Sequence, residues 1–132
     1  MDTLMVPISP GELLDKITIL RIKSSRVRDD AKLANVRREL ALLEQTRHRT
    51  LPGDCALRDD EAELERVNSA LWDIEDRIRE HEAQQRFDAD FIELARAVYL
   101  RNDERAAIKQ RINLKLNSPI VEEKSYQPYR KD

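Results

Sequence analysis

FIELARAVYLRNDERAAIKQRINLKL, residues 91–116, decides how the chain is read. Taken as one helix of about 3.6 residues per turn, it sets Phe91, Ala95, Val98, Ile112 and Leu116 on a single stripe. Asn102, Arg105 and Lys109 occupy the middle of that stripe. An apolar seam with a polar centre implies a helical bundle with a charged layer inside it, or a groove that opens there. Arg105 and Lys109 stand four apart and repel on an isolated helix, so acidic groups should face them. Glu75 and Glu82, or Glu12 and Asp15, are the candidates.

The neighbouring segment reads as a helix over about Asp60–Ala83. Leu64, Val67, Leu71, Ile74 and Ile78 form a heptad seam along it. Beside the seam runs a second row, Asn68, Trp72, Glu75, Arg79 and Glu82. Asn68, Trp72, Glu75 and Arg79, together with Asn102, Arg105 and Lys109, make the candidate polar pocket or interhelical layer. Asp88 caps the last helix, and a break at Arg101–Asp103 would give Asn102 a second capping role. Asn117-Ser118-Pro119 ends that helix. The tail 117–132 is polar, with Ile120, Val121, Tyr126 and Tyr129 as docking points.

Toward the start, HRTLPGDCALRDD (48–60) reads as the main loop, turning at Pro52-Gly53-Asp54. Asp29 or Asp30 caps a helix carrying Leu33, Val36, Leu40 and Leu43, whose pattern fades at His48. The first helix has the clearest start: Ser9 as N-cap, Pro10 at the first helical position and Glu12 completing a capping box. Ile8 and Leu13 are placed as a hydrophobic staple, and Leu13, Ile17, Leu20 and Val27 follow as a stripe. The β-branched run Ile17–Ile22 also fits a strand, but the cap and the heptad step decide for helix. Pro7 makes residues 1–8 extended, so that Leu4, Val6 and Ile8 would strap across a helix end. The expected fold is all-α: an elongated antiparallel bundle of about four helices, with an N-terminal strap and a C-terminal tail, in one domain spanning 1–132.

Composition agrees. Ala, Glu, Lys, Leu and Arg supply 65 of 132 residues and glycine only two, which favours long helices. With 38% charged residues the core should be thin, and a homo-oligomer or a helical protein partner is expected. A net charge of -2 supplies no global field to recruit nucleic acid. One cysteine, no apolar run of about 18 residues and no signal-peptide pattern point to a soluble cytoplasmic protein without a membrane partner.

Motifs that carry chemistry are sparse. Glu12 with Asp15, and Asp73 with Asp76, are i, i+3 pairs that each put two carboxylates on one helical face. Facing each other, two such pairs would hold Mg²⁺ and organise phosphates, as helical nucleotide pyrophosphohydrolases do. Otherwise no cofactor is expected. His48 and Cys55 share a loop but fall short of the ligand number zinc requires. No third group is placed to orient His48 as the base for a Cys55 nucleophile. His81 falls at an apolar heptad position and reads as a packed or partly exposed helix-end histidine. The Ser9-Pro10-Gly11 helix start could hold an anion, although the capping box consumes some of its N–H groups. Arg37-Arg38 reads as a solvated face. Phosphate-loop, dinucleotide and metalloprotease motifs are missing.

Three strings carry a resemblance: ISPGELLDKITIL (8–20), VNSALWDIEDRIREHE (67–82) and FIELARAVYLRNDERAAIKQRIN (91–113) followed by EEKSY (122–126). They resemble a family of small bacterial helical proteins known as a domain of unknown function. Its relatives occur beside, or fused to, glycosyltransferase or tetratricopeptide modules. The resemblance implies a soluble helical accessory to surface-polysaccharide synthesis and carries over no catalytic residue. Two functions follow as expectations. One is a non-enzymatic interaction or adaptor module. The other is a Mg-dependent enzyme or binder acting on a phosphorylated or acidic small molecule such as a nucleotide or nucleotide-sugar.

Overall fold

The structure is a computed structural model that describes residues 1–53 and 55–130, the Cys55 side chain excepted. Asp54 of the expected turn and the Cys55 thiol therefore lie outside the described residues. Four α-helices make up the fold: α1 (Pro10–Arg26), α2 (Asp30–Thr50), α3 (Arg58–Ala83) and α4 (Ala89–Lys115). A single 3₁₀ turn, Cys55–Leu57, precedes α3, and no strand occurs among the described residues. At about 1.5 Å per residue, α3 and α4 each extend roughly 40 Å.

The helix starts follow local chemistry. Ser9, Asp29 and Asp88 accept hydrogen bonds from the backbone N–H groups of Glu12, Lys32 and Phe91. Both α3 and α4 close in a Schellman arrangement, with Gln85 and Asn117 at φ 52°. Arg86 N–H donates to the His81 carbonyl and Ser118 N–H to that of Asn113. α4 runs unbroken through Arg101–Asp103, because Asn102 stays helical and caps nothing. The loop expected over 48–60 is shorter at both ends, since α2 continues to Thr50 and α3 begins at Arg58.

Sequence neighbours pack antiparallel: Arg21 of α1 meets Glu44 of α2, and Asp60 of α3 meets Lys115 of α4. α1 is the hub, packing on the other three helices. It runs parallel to α3, with Asn68 beside Asp15 and Asp73 beside Arg26, and antiparallel to α4. Its predicted stripe is buried through Leu13, Ile17 and Leu20, and Leu14, Thr18 and Ile22 are buried as well. Hub position explains this, because neighbours approach α1 from more than one side. Leu14, Leu57, Leu64, Val67, Ile108 and Ile112 form the core cluster. Each such side chain, fully buried, contributes about 1.5–3 kcal/mol. α2 packs mainly on α1, with Arg47 near its end donating to Glu61 of α3, and it buries none of its own residues fully, so its Leu33, Val36, Leu40 and Leu43 are only half-covered.

On α4 the buried positions are Leu94, Ile108, Ile112 and Asn113. Phe91, Val98 and Leu116 are half-buried and Ala95 is exposed. The stripe drawn from sequence thus runs along the edge of the buried face. Residues 1–8 are non-helical and leave Leu4 and Val6 79% and 68% exposed, so these two do not strap across a helix end. No helix among the described residues is long and apolar enough to cross a membrane.

Candidate functional site

The beginning of α1, the middle of α4 and the tail beyond α4 meet on one side of the bundle. Gly11 permits the approach. A Cβ built there would lie 2.5 Å from the Lys109 carbonyl oxygen and 2.8 Å from Asn113 Oδ1, so only glycine lets the helices come this close. In the space left, Gly11 N–H donates to Asn113 Oδ1 at 2.7 Å, while Glu12 N–H donates to Ser9 Oγ at 3.1 Å. These two N–H groups, candidates for an anion site, are therefore spent inside the protein.

Above this contact lies a charged layer. Arg105 donates to both oxygens of Asp15, through Nε at 2.8 Å and through a second, shorter bond from its terminal nitrogen. Asp15 is fully buried and also accepts from Asn68 Nδ2 at 2.9 Å; the same amide donates to Thr18 Oγ1 at 3.0 Å. Lys109 Nζ lies 2.5 Å from Glu12 and 3.3 Å from Glu122 in the tail. Glu122 in turn accepts from Ser9 Oγ at 3.2 Å. Among the described residues no buried side-chain polar atom lacks a partner, as a low-dielectric layer requires.

The electrostatics follow from these contacts. Burial pushes the Glu12 carboxyl up, but the Lys109 ammonium outweighs it and holds the group below its usual range. Burial pulls Lys109 down, and its bond to Glu12, helped by Asp15, more than reverses this. The bonds to Asp15 hold Arg105 more firmly charged, against its burial. Further along α4, Asp103 accepts from Lys124 Nζ at 3.0 Å and from the Tyr129 hydroxyl, and both hold its carboxyl down. The Tyr99 and Tyr129 rings lie 5.3 Å apart and fasten the end of the tail.

Between α4 and this tail opens a groove of about 600 Å³. Arg105, Lys109 and Asn113 line its inner side. Val98, Tyr99, Asn102 and Asp103 extend it along α4, and Glu122, Glu123, Lys124 and Tyr126 form the tail side.

The residues singled out from sequence divide into two sets. Asn68 and Arg105 meet on Asp15 and Lys109 meets Glu12, two adjacent bonded sets coupled by charge, and Asn102 lines the groove beside them. Trp72 is half-buried under the Arg26 guanidinium, 5.8 Å from its ring. Glu75 and Arg79 pair with each other at 3.5 Å on the exposed face of α3, where Glu82 is exposed too. The acids facing Arg105 and Lys109 therefore come from α1, and for Lys109 also from Glu122 of the tail. The helix turns Glu75 away, because the Asn68–Arg79 row drifts off the buried Leu64–Val67–Ile74 seam.

The two acidic pairs are not brought together. Asp73 bonds Arg26 at 2.5 Å, which sits about 16 Å along α1 from Asp15, and Asp76 is exposed. Another cluster, His81, Asp88 and Asp90, brings its candidate ligand atoms within 4.8 Å at the α3–α4 turn. Arg86 already stands there, 3.2 Å from His81 Nε2 and 3.4 Å from Asp88. His81 is buried as expected of a packed histidine, while His48 and the Arg37-Arg38 pair are exposed.

Sequence reasoning missed Gly11 as a contact and Thr18, Asn113, Glu122 and Lys124 as partners. The EEKSY string carried the only signal for the last two. Stretches that carried the resemblance, 8–20, 67–82, 91–113 and 122–126, all contribute to this one region. Comparison with curated proteins and with solved structures returns no match. A family model does match, over residues 4–130, and the chain belongs to that family, one of unknown function (DUF6165).

Proposed function

We propose that the protein is a non-enzymatic interaction module whose recognition site is the groove between α4 and the tail. The observation that carries this reading is the pairing of its charged groups: Arg105 on Asp15, Lys109 on Glu12 and Glu122, and Lys124 on Asp103. General acids, bases and nucleophiles work when their pKa values are brought toward neutrality. Here Glu12 and Asp103 are held low and Lys109 and Arg105 high. Each group is driven away from catalytic poise and toward permanent charge. Such a network is rigid and presents fixed donors and acceptors, which suits recognition.

Within the groove wall Asn102 is half-buried, and its amide makes no hydrogen bond among the described residues. It is free to bond a partner. The test is a thermal-shift screen of short peptides, nucleotides and nucleotide-sugars, with and without Mg²⁺, repeated on Asn102→Trp. A partner should raise Tm by a few degrees, and the tryptophan, by filling the groove, should abolish the shift. A hit indifferent to Asn102→Trp, or turnover of any nucleotide or nucleotide-sugar, refutes the reading.

A further inference from the structure

We propose that the groove takes an extended segment of a partner protein and reads from it a lysine or arginine side chain. This rests on the groove being the recognition site and names the chemistry of what enters it.

Charge comes first. The three cations of the groove are already spent: Arg105 on Asp15, Lys109 on Glu12 and Glu122, Lys124 on Asp103. Counting Lys16, which pairs with Glu12 at 3.4 Å, four cations face five carboxylates, Asp15, Glu12, Asp103, Glu122 and Glu123, leaving the region one charge negative. Glu123 is exposed and makes no ion pair among the described residues. An incoming anion would have to break existing pairs within a negative field, well inside the screening distance of about 8 Å. An incoming cation meets a free carboxylate.

The rings come second. Tyr99 and Tyr126 wall the groove, and Tyr126 is 80% exposed. Cations already seat on rings of this region. Lys124 Nζ lies 5.2 Å from the Tyr126 centroid, and the Arg130 guanidinium 5.9 Å from that of Tyr129. Aromatic faces beside a carboxylate are what a basic side chain needs, the rings taking its aliphatic stem and sharing its charge.

Backbone comes third. Residues 121–130 are non-helical, and among the described residues their N–H and C=O groups make no backbone hydrogen bond. An extended chain laid alongside would pair with that free edge, as in strand addition. The same contacts would place its basic side chain by Glu123 and Tyr126.

Fluorescence anisotropy on the full chain tests this with two labelled extended octapeptides, identical except that one carries lysine where the other carries glutamate. The lysine peptide should bind at least tenfold more tightly. Glu123→Gln and Tyr126→Ala should each weaken it several-fold with Tm unchanged, both side chains being exposed. Glu39→Gln, an exposed acid on α2, should change nothing. Equal binding of both peptides, no binding of either, or an equal loss with Glu39→Gln overturns the inference. A groove-dependent hit of neutral or acidic chemistry in the wider screen would overturn it while leaving the recognition site standing.

Discussion

Arg105→Met is the sharpest probe of the charged layer. Asp15 is fully buried, and the Arg105 side chain that pairs with it is 29% exposed. Removing one partner of a buried ion pair strands the other charge and costs about 3–5 kcal/mol. Asn68 still donates to Asp15 in the variant, and water can enter where the guanidinium reached the surface. Both effects put the loss at the low end, about 3 kcal/mol. An unfolding entropy of about 2.1 cal/mol/K per residue gives roughly 0.28 kcal/mol/K for a chain of this length, so Tm should fall by about 11 °C. Adding Asp15→Asn removes the stranded charge and keeps an acceptor for Asn68. The double variant should then recover about 2 kcal/mol, or roughly 7 °C. Thermal unfolding followed by circular dichroism, with calorimetry on the same samples, measures both. A fall below 3 °C for Arg105→Met, or a double variant no better than the single one, would refute the claim that this pair is desolvated and mutually dependent.

Three further outcomes follow from the same geometry. Gly11→Ala forces a methyl into the Lys109 carbonyl and should cost about 2 kcal/mol, in the range of overpacked contacts; a neutral result in chemical denaturation would contradict the close approach of α1 and α4. Glu12 and Asp60, with ordinary values of 4.5 and 3.8, are both held lower in the fold. Their contribution is present above those values and lost as pH falls through the depressed ones, so Tm measured from pH 6 downward should hold to about pH 4.5 and then drop. The reverse holds for Lys109, whose raised value keeps its contribution until pH climbs beyond 10.5. Gln85→Gly relieves a left-handed backbone at φ 52° and should stabilise by about 0.5 kcal/mol, the strain relief being partly offset by unfolded-chain entropy; a loss in urea titration would mean the Gln85 bond to the Glu82 carbonyl outweighs the strain.

Much of the architecture was legible because it is written locally. The Ser9, Asp29 and Asp88 caps are single residues acting on the next turn; Ser9 and Asp88 begin their helices as read, and of Asp29 and Asp30 it is Asp29 that caps. The α3 seam was legible for a related reason: periodicity states which face is apolar. It does not state what lies opposite. Glu75 and Glu12 were equally good partners for Lys109 on paper, and only the rotation of α3 about its axis separates them. Gly11 was read as part of a helix start, because a glycine needed for interhelical closeness looks no different from one needed for a cap. Glu122 and Asn113 were invisible as partners since their bonds span 113 and 102 residues. The inward face of α4 was placed slightly off. Over 27 residues a small angular error moves Ala95 to the surface and brings Leu94 inside.

The bond between Asp15 and Arg105 also sets an order on biosynthesis. Ninety residues separate the two partners, and at about 5–20 residues per second the carboxylate waits roughly 5–20 s after translation before its guanidinium exists. Until then α1 has only α2 and, later, α3 for company, and the side it will turn to α4 must remain in water. The groove is consequently among the last things to form, and a nascent chain stalled short of residue 105 has no recognition surface to offer.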